Sequence, residues 1–419
     1  MRNLSSGPEV EFYMGRSDYY DAVSYDDSVY RVHGYLLENV ESICAYELIL
    51  VDEYQDFNRL ESSFIDLLAS KSAIVIAGDD DQALYSQLRS SSQEFIRNLH
   101  VSGDYEVFEL PLCMRCPEAV ILAVNAILAA VRNLGCLKGR IKKPFRHYPP
   151  AKGSDSKKYP HIQIAECSTQ TLKANYFGRY IAHEIRNIPA AEIAESHDKS
   201  FPTVLVIGSI QYLRQIQAHL EEQGFAVERK ADSKSELARE EGLRRLKEHS
   251  ESNLGWRIIL ETDKPPFEKK VVSDSIRTSA LIHAMLPEEF RSGILKEAES
   301  LQTSSDTISV QVQELDKSKP TIKLTSFEGS KGLSAQHVFV VGVHENELPR
   351  NASDIKDLEI CKFLVSLTRT RKQCHLLTTY RFSGVTKRPS LFLKWIPSAV
   401  KRVQRIDKGF WEKRVGSNR

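Results

Sequence analysis

Two short runs of the sequence contain only apolar residues, and an amphipathic helix pattern separates them. The runs are Ile49–Val51 and Ala73–Ala77, and between them Asn58 is followed three residues later by Glu61, which is a helix-capping pattern. The apolar positions that share one face of this helix are Leu60, Phe64, Leu67 and Leu68. Strands that are apolar on both faces are typical of parallel sheets covered by helices on each side. The pattern therefore predicts an α/β fold.

The alternation of strand and helix patterns continues along the chain and is interrupted once. Residues 117–135 have the pattern of a helix that Pro117 begins and Gly135 ends. Later strand patterns occur at Ile162–Ala165, Thr203–Ile207, Val338–Val341 and His375–Thr379. Between about residues 231 and 319 the sequence is charged and mostly helical instead, which predicts an inserted helical subdomain.

Composition is typical of a soluble globular protein. The chain has 419 residues, 27% charged and 41% hydrophobic, with a formal net charge of +1. This length suits about two to three domains. Because the net charge is close to zero, any basic surface must be confined to a part of the molecule. The N-terminus has no apolar signal region, and no run of about 18 apolar residues occurs anywhere. We therefore expect a cytoplasmic protein without a membrane partner.

Cysteine usage indicates a reducing compartment. Seven cysteines are an odd and sparse number, which argues against a disulfide framework. Cys113 and Cys116 have the spacing of half a zinc site, but no second pair of cysteines or histidines follows at a finger-like distance. We therefore predict no zinc site.

An acidic pair follows the first apolar run. Asp52 and Glu53 come directly after Val51, at the carboxyl end of a predicted parallel strand, where ligands bind in α/β folds. Asp52 could hold Mg²⁺, and Glu53 could orient or deprotonate the water that attacks a γ-phosphate. Taken alone, such a pair is more simply explained as surface acidic residues after a core strand.

Polar residues follow the second apolar run as well, in the stretch GDDDQALY from Gly78 to Tyr85. Gln82 could sense a γ-phosphate, and Tyr85 could offer a face on which a nucleic-acid base stacks. A tyrosine alone is more often part of a core or its rim. The two stretches together, VDEYQDFN and AGDDDQALY with one helix between them, form a specific combination.

At this point the sequence resembles the UvrD/Rep-type superfamily 1 DNA helicases, from their motif II through to their motif VI. Further segments continue the resemblance in the family's order. They are LCMRCP with Arg115, TSFEGSKGLSAQHVFVVG from Thr325 to Gly342, and LVSLTRTRK with Arg369. The resemblance implies two RecA-like P-loop NTPase domains, parallel sheets flanked by helices, and ATP hydrolysis coupled to movement along DNA.

The resemblance also implies roles around ATP and Mg²⁺. It makes Asp52 a Mg²⁺ ligand, Glu53 the residue that activates water, and Gln82 the γ-phosphate sensor. Arg115 and Arg369 would stabilise charge on the transferring phosphoryl group, a contribution worth roughly 10³–10⁵ in rate.

For nucleic acid, the resemblance implies a partner that is single-stranded or partly duplex DNA. Tyr85 would stack on a base. Ser326 is expected at the DNA surface. The turn that contains Ser330 and Lys331 would contact a DNA phosphate through backbone N–H groups and positive charge.

The domain organisation that follows has five parts. We expect a partial first RecA-like domain over residues 1–110, a second RecA-like domain over 111–230 and 320–400, a reduced helical accessory insertion over 231–319, and a basic tail over 401–419. Basic and aromatic residues alternate near the C-terminus, a pattern that suits a single DNA strand or, equally, a solvated helix end.

The chain departs from the family pattern at several positions. A second stacking aromatic is missing from YSQLR, which begins at Tyr85. Glu328 stands where the family has a histidine, and Ser334 replaces a glutamate that contacts nucleotide in relatives. These departures bear on the DNA and nucleotide contacts.

The largest departure is the phosphate-binding loop, since G-x-x-x-x-G-K-[ST] occurs nowhere in the sequence. The chain is therefore a fragment of a helicase, one half of a split helicase whose partner polypeptide supplies the loop, or an inactive helicase-like module that binds DNA or protein. The apolar strand segments and the motif residues are all retained, and for this reason we favour a truncated or split helicase.

Overall fold

The computed structural model describes residues 1–4, 6–228, 234–301 and 316–415. These residues form two compact units. The first unit contains Met1–Ile49, Asn58–Ala73 and the described part of Lys230–Leu315. The second contains Leu50–Phe57 and the described parts of Ile74–Arg229 and Asp316–Arg419.

The elements are numbered in chain order. The α-helices are α1 Pro8–Tyr20, α2 Tyr25–Glu38, α3 Arg59–Ala69, α4 Ser86–Arg89, α5 Glu94–Ser102, α6 Glu118–Asn133, α7 Pro149–Lys158, α8 Tyr176–Arg186, α9 Ala190–Asp198, α10 Ile210–Glu222, α11 Lys234–Glu248, α12 Asn253–Asp263, α13 Glu268–Thr278, α14 Glu288–Ser300, α15 Asp357–Thr368, α16 Leu391–Trp395 and α17 Lys408–Val415. The strands are β1 Ile49–Val51, β2 Ile74–Ile76, β3 Leu112–Cys113, β4 Arg146–His147, β5 Ile162–Cys167, β6 Val204–Ile207, β7 Val227–Glu228, β8 Ile322–Thr325, β9 Ala335–Val341, β10 Thr370–Thr379, β11 Arg381–Phe382, β12 Val385–Thr386 and β13 Lys401–Ile406. The 3₁₀ segments are Val40–Ser42, Tyr54–Asp56, Asp80–Gln82, Ile282–Met285, Glu328–Ser330 and Ser398–Val400.

The first unit is built from helices. Its core contains Leu243, Leu246, Trp256, Ile259, Leu260, Val271, Ile282, Leu286, Ile294 and Ala298. Asn253 joins α12 to the N-terminal helix, because its amide donates to the Tyr19 carbonyl at 3.0 Å and its side-chain oxygen accepts from the Ile282 amide at 2.8 Å. The predicted capping of α3 is confirmed, since Asn58 and Glu61 form a reciprocal capping box.

The second unit contains a seven-stranded parallel sheet in the order β13-β5-β10-β9-β6-β8-β7. Adjacent residues of β6 belong to different cores: Leu205 and Ile207 pack with α6 and α15, whereas Val204 and Val206 pack with α8 and α10. The sheet is therefore covered by helices on both faces, which is the physical reason its strands are apolar throughout. The predicted α/β fold, with a parallel sheet flanked by helices, is confirmed.

The two apolar runs that open the sequence pattern form a separate two-stranded sheet of β1 and β2. The Ala77 amide donates to the Val51 carbonyl at 2.7 Å, and the Tyr54 amide donates to the Ala77 carbonyl at 3.1 Å. Leu50 is 73% exposed and Val75 is 53% exposed. Among the described residues, these two strands thus have the apolar sequence of central strands. Their side chains Leu50 and Val75 are nevertheless exposed, because nothing described covers that face of the sheet.

The segment predicted as a basic tail, residues 401–419, contains β13 and α17. Lys401–Ile406 forms β13, an edge strand paired with β5 from Lys401 opposite Ile162 to Ile406 opposite Cys167. Ile406 is fully buried while Val403 is 51% exposed. Charged side chains are common on edge strands, where they discourage further pairing, and this explains why the segment has the composition of a tail. Residues 416–419 lie outside the described residues.

The domain boundaries remain predictions. Within the predicted insertion at 231–319, residues 234–301 are mostly helical and belong to the same compact unit as the N-terminal helices. No described helix is both long enough and apolar enough to cross a membrane.

Candidate functional site

The residues that follow β1 and β2 build the centre of the candidate site, and all of them lie in the second unit. Asp52 and Glu53 directly follow β1, and Glu53 adopts a left-handed backbone conformation with a φ of 54° before the 3₁₀ turn Tyr54–Asp56. Asp79 and the 3₁₀ turn Asp80–Gln82 follow β2. Since paired parallel strands end at the same edge, the two predicted motifs come together there.

Gln55 connects these two turns through its buried side-chain amide. Its oxygen accepts from the Asp79 backbone amide at 2.9 Å, and its nitrogen donates to the Glu53 carboxylate at 2.5 Å. Gln55 is fully buried. The carboxylate of Glu53 is thereby oriented by a group that the sequence analysis did not identify.

The ammonium of Lys331 is bound at the same carboxylates. Its Nζ lies 3.1 Å from Glu53 and 2.5 Å from Asp56, and it donates to the Gln82 carbonyl at 3.1 Å. The Lys331 side chain is only 5% exposed. Burial raises the pKa of Asp56, and the positive charge of Lys331 opposes that shift. Lys331 thus neutralises the acidic turn after β1 in this state of the molecule.

Arg369 is a buried arginine that reaches Gln82. Its Nη2 donates to the Gln82 side-chain oxygen at 3.1 Å, while Nε and Nη1 donate to the carbonyls of Val365 and Leu333 at 3.1 and 3.3 Å. Gln82 is held from its other end, because its nitrogen donates to the Asp79 carboxylate at 2.8 Å. The structure therefore brings together two of the predicted nucleotide-binding residues.

Arg115 lies near Arg369 and shares its surroundings. The Nη1 of Arg115 donates to the carbonyl of Thr368 at 3.4 Å. Burial, together with the positive charge of Arg115, lowers the pKa of Arg369 to about 10. The guanidinium groups of the buried Arg369 and the half-buried Arg115 repel each other, and a bound anion such as a phosphate would compensate their charge.

Asp52 is exposed, and one of its carboxylate oxygens accepts from the Glu53 amide at 2.8 Å. Mg²⁺ takes oxygen ligands in an octahedron and is commonly held by one or two carboxylates together with substrate phosphates and waters. Asp52 fits such a role as a single carboxylate ligand that is accessible from solvent. Completing the coordination shell would require the phosphates of a nucleotide.

Of the residues predicted to contact DNA, Tyr85 and Lys331 contact each other, whereas Ser326 and Ser330 form hydrogen bonds within their own turn. Tyr85 is half-buried, its hydroxyl donates to the Glu328 carbonyl at 3.3 Å, and the Lys331 ammonium lies 5.6 Å from its ring centre. Ser330 is fully buried and donates to the Phe327 carbonyl at 2.6 Å. Ser326 is exposed, and its hydroxyl accepts from the Gly329 amide at 3.1 Å.

Glu328, which stands where the family has a histidine, forms an ion pair with Lys362 at 2.6 Å. Ser334, which stands where the family has a glutamate, accepts from the Nε of Arg371 at 2.9 Å. These two substituted side chains therefore have partners within this chain, which explains how they are accommodated.

A network of charges behind Gln82 is not apparent from the sequence. Asp81 accepts from Arg140 through two hydrogen bonds of 2.7 and 2.6 Å, and the fully buried Asp80 accepts from Arg97 at 2.9 Å and pairs with Lys143. The only local signal was the run of three acidic residues, which gives no indication of its partners. These cations neutralise the aspartates and fix the turn that carries Gln82.

Comparison with known proteins agrees with the resemblance. The family profile of the UvrD/REP helicase N-terminal domain matches residues 10–101. A probable DNA helicase II homolog of Mycoplasma pneumoniae is 23% identical over 417 aligned residues, which include 84% of this chain and 56% of that protein. DNA helicase II of Escherichia coli K12 is 33% identical over 81 residues, 19% of this chain and 11% of that protein. The chain thus spans little more than half the length of the Mycoplasma relative.

A solved structure gives a weaker likeness. The C-terminal domain of a possible DNA helicase from Lactobacillus plantarum WCFS1 aligns over 69% of this chain and 97% of that chain, with 9% identity and a TM-score of 0.29. A TM-score this low does not establish a shared fold. The sequence matches, in contrast, are to UvrD-type helicases, in agreement with the resemblance.

Proposed function

Because the chain is a relative of the UvrD/Rep-type DNA helicases, we propose that it provides part of an ATP-driven motor that moves along single-stranded DNA and unwinds duplex. The phosphate-binding loop of that motor comes from outside this sequence, either from the rest of a longer chain or from a partner polypeptide. On its own, the chain then hydrolyses ATP negligibly.

The observation that carries this proposal is the arrangement around Gln82. Its side-chain oxygen accepts from Arg369, and its carbonyl accepts from Lys331, which in turn pairs with Glu53. Arg115 lies close enough to lower the pKa of Arg369. Gln82, Glu53 and the two arginines thus lie within one compact unit, which supports the roles in phosphoryl transfer that we assign to them.

We assign roles to these groups in the complete motor. Asp52 binds Mg²⁺ beside the nucleotide phosphates, and Glu53 orients the attacking water. Gln82 senses the γ-phosphate, while Arg115 and Arg369 stabilise the charge that develops on it. The bound Mg²⁺ supplies charge neutralisation at the phosphates.

The uncovered face of the β1–β2 sheet supports the idea that protein is missing there. Leu50 and Val75 expose apolar surface at the two strands that carry the acidic motifs. Unpaired and apolar strand surfaces favour association with further protein. A polypeptide that brings the phosphate loop could cover this face and complete the nucleotide site at the same edge.

We place the DNA contacts at Tyr85, Ser326, Ser330 and Lys331. Lys331 is engaged with Glu53 and Asp56, so a DNA phosphate would have to replace these carboxylates as its partner. In that exchange the carboxylate of Glu53 would lose its cation and become free to act on water. Binding of single-stranded DNA and activation of ATP hydrolysis would thereby be linked through one ammonium group.

The test is reconstitution. The chain is mixed with a polypeptide that carries a G-x-x-x-x-G-K-[ST] loop from a UvrD-type relative, and ATP hydrolysis is measured with and without single-stranded DNA. We expect DNA-stimulated turnover only in the mixture, and its loss in Glu53→Gln. Glu222→Gln changes an exposed glutamate of α10 and should leave turnover intact. ATP hydrolysis by the chain alone, abolished by Glu53→Gln, would contradict the proposal.

A second candidate function is an inactive helicase-like module that binds DNA or protein. The occupancy of Glu53 and Asp56 by a buried Lys331 favours it, since this ion pair satisfies the acidic turn without metal or nucleotide. The two candidates differ in the reconstitution assay. A stable, well-folded complex with the loop polypeptide that binds DNA but never hydrolyses ATP would establish the module in place of the motor.

A further inference from the structure

Two thiols come together where β3 leads into α6. Cys113 ends β3 and is half-buried, and Cys116 is fully buried just before Pro117, the N-cap of α6. Both thiols are free. The thiol of Cys116 and the backbone amides of Arg115 and Cys116 lie where they can stabilise a thiolate at the Cys113 sulfur by hydrogen bonding. Three donors therefore converge on one partly accessible sulfur.

The two cysteines differ in the chemistry they can perform. The converging donors, with the nearby charge of Arg115, lower the pKa of Cys113 to about 6. The pKa of Cys116 is raised well above its usual value by its hydrogen bond to Cys113 and by burial. A thiolate at an accessible position attacks disulfides, and a buried neighbouring thiol resolves the product. The pair has one residue of each kind.

We propose that Cys113 and Cys116 form a thiol–disulfide exchange site, in which a small-molecule disulfide of the glutathione class oxidises the pair to an intramolecular disulfide. The Cys113 thiolate attacks one sulfur of the small disulfide, whose S–S bond breaks and releases one thiol. Cys116 then loses its proton and attacks the Cys113 sulfur, and the second small thiol leaves. Two protein thiols are oxidised, and one small disulfide is reduced to two thiols.

Oxidation of the two cysteines would affect Arg115, because they flank it in the sequence. Arg115 lies between the two cysteines in sequence, and its guanidinium donates to the Thr368 carbonyl at 3.4 Å. The single thiol hydrogen of Cys116 can be donated either to that same carbonyl, also at 3.4 Å, or to the Cys113 thiolate. A disulfide removes the thiol donor and tightens the turn that carries Arg115. Resting on the function proposed above, we infer that oxidation withdraws Arg115 from the nucleotide site, so that the motor is active only when the pair is reduced.

A chemical experiment tests the pair independently of ATP hydrolysis. The full chain is incubated in a glutathione redox buffer, its remaining thiols are alkylated, and it is digested with trypsin. Trypsin cleaves after Arg115, so a Cys113–Cys116 disulfide holds fragments 98–115 and 116–132 together until reduction. We expect this linked product, whereas Cys44, an exposed lone cysteine, should carry only glutathione. Alkylated Cys113 and Cys116 in a sample whose Cys44 has reacted would overturn the proposal.

Two variants sharpen the result. In Cys116→Ser the reaction should stop at the first step, with glutathione attached to Cys113, and in Cys113→Ser the residue Cys116 should stay unmodified. A mixed disulfide that persists at Cys113 in the wild-type chain would overturn the resolving role of Cys116. In the reconstituted mixture, oxidation should abolish ATP turnover, dithiothreitol should restore it, and Cys113→Ser should be insensitive to oxidation. If the disulfide-linked fragments form but ATP turnover is unchanged, the exchange site is supported and only its control of Arg115 is refuted.

Discussion

The ammonium of Lys331 lies 3.1 Å from the carboxylate of Glu53, in a setting where only 5% of the lysine side chain reaches solvent. The residue expected to contact a DNA phosphate is therefore bound to the residue expected to activate water. A DNA phosphate would therefore compete with Glu53 for this ammonium. The relationship makes specific predictions about stability and activity.

Replacing Lys331 by Met should destabilise the chain by about 3 kcal/mol near neutral pH, because Asp56 would remain buried without its cation. Burial already raises the pKa of Asp56, and loss of Lys331 would raise it further. Protonation of Asp56 should then remove its uncompensated negative charge, so the loss of stability should become smaller at acidic pH. Urea unfolding at several pH values measures this, with Lys142→Met at an exposed lysine as the control. An equal loss of stability at every pH would argue against this ion pair.

Arg369→Ala should reduce ATP turnover of the reconstituted mixture by roughly 10³-fold or more, since transition-state charge would lose its compensation. Single-stranded DNA binding should change little. Because Arg369 also donates to Val365 and Leu333, urea unfolding of the variant should be measured alongside turnover. Arg132→Ala at an exposed arginine of α6 is the matched control. Wild-type turnover in a folded Arg369→Ala chain would remove this residue from the proposed mechanism.

Leu50→Ser should leave the unfolding free energy of the chain within about 0.5 kcal/mol, because the side chain is 73% exposed. It should nevertheless weaken association with the loop polypeptide, if that polypeptide covers the β1–β2 face. Val403→Ser, at a similarly exposed position of β13, should leave association unchanged. Equal binding of both variants to the loop polypeptide would show that the face is not the docking surface.

The rate of alkylation of Cys113 by iodoacetamide should reach half its maximum near pH 6, because the reactive species is the thiolate and its pKa is about 6. Peptide mapping after short exposures resolves Cys113 from the other cysteines. In Cys116→Ala the midpoint should move to higher pH, since a donor to the Cys113 sulfur is removed. A wild-type midpoint near pH 8.5, the ordinary value for cysteine, would contradict the converging donors.

Glu192→Gln should destabilise the chain most above about pH 5 and progressively less towards pH 2. Hydrogen bonds from His337, Lys158 and Tyr159 overcome burial and lower the pKa of Glu192 to about 2. The unfolded chain binds the proton first as the pH falls below about 4.5, so the stabilisation is present above that value and is lost on the way to pH 2. The full effect is on the order of 3 kcal/mol. Denaturant titrations at several pH values measure the unfolding free energy, with Glu222→Gln at an exposed glutamate as the control. A difference between Glu192→Gln and wild type that does not change with pH would contradict the lowered pKa of Glu192.

Local pattern was sufficient to predict much of the fold. Apolar runs such as Thr203–Ile207 and a cap such as Asn58 encode strands and helix starts within a few residues, and the structure contains β6 and the α3 capping box at these positions. Alternation of strands and helices then leaves a parallel sheet as the simple solution. The pattern did not predict the strand Lys401–Ile406, because an edge strand can have the same charged composition as a tail.

The partners within the site could not be predicted in the same way. The sequence identified Glu53 and Lys331 separately, but the contact between them depends on how distant segments of the second unit pack. Gln55 carried no signal at all, since a glutamine two residues after an acidic motif is chemically ordinary. Its importance comes from being buried between two turns, and burial of a single polar side chain is decided by tertiary structure.

Gln55 also limits how the site can change. Its amide meets an N–H donor from Asp79 on one side and the carboxylate of Glu53 on the other, so only one orientation of the amide satisfies both. A glutamate at this position would accept from Asp79 equally well but would turn a second negative charge towards Glu53. The site would thus lose its shape through one isosteric substitution at a residue that acts only by positioning its neighbours.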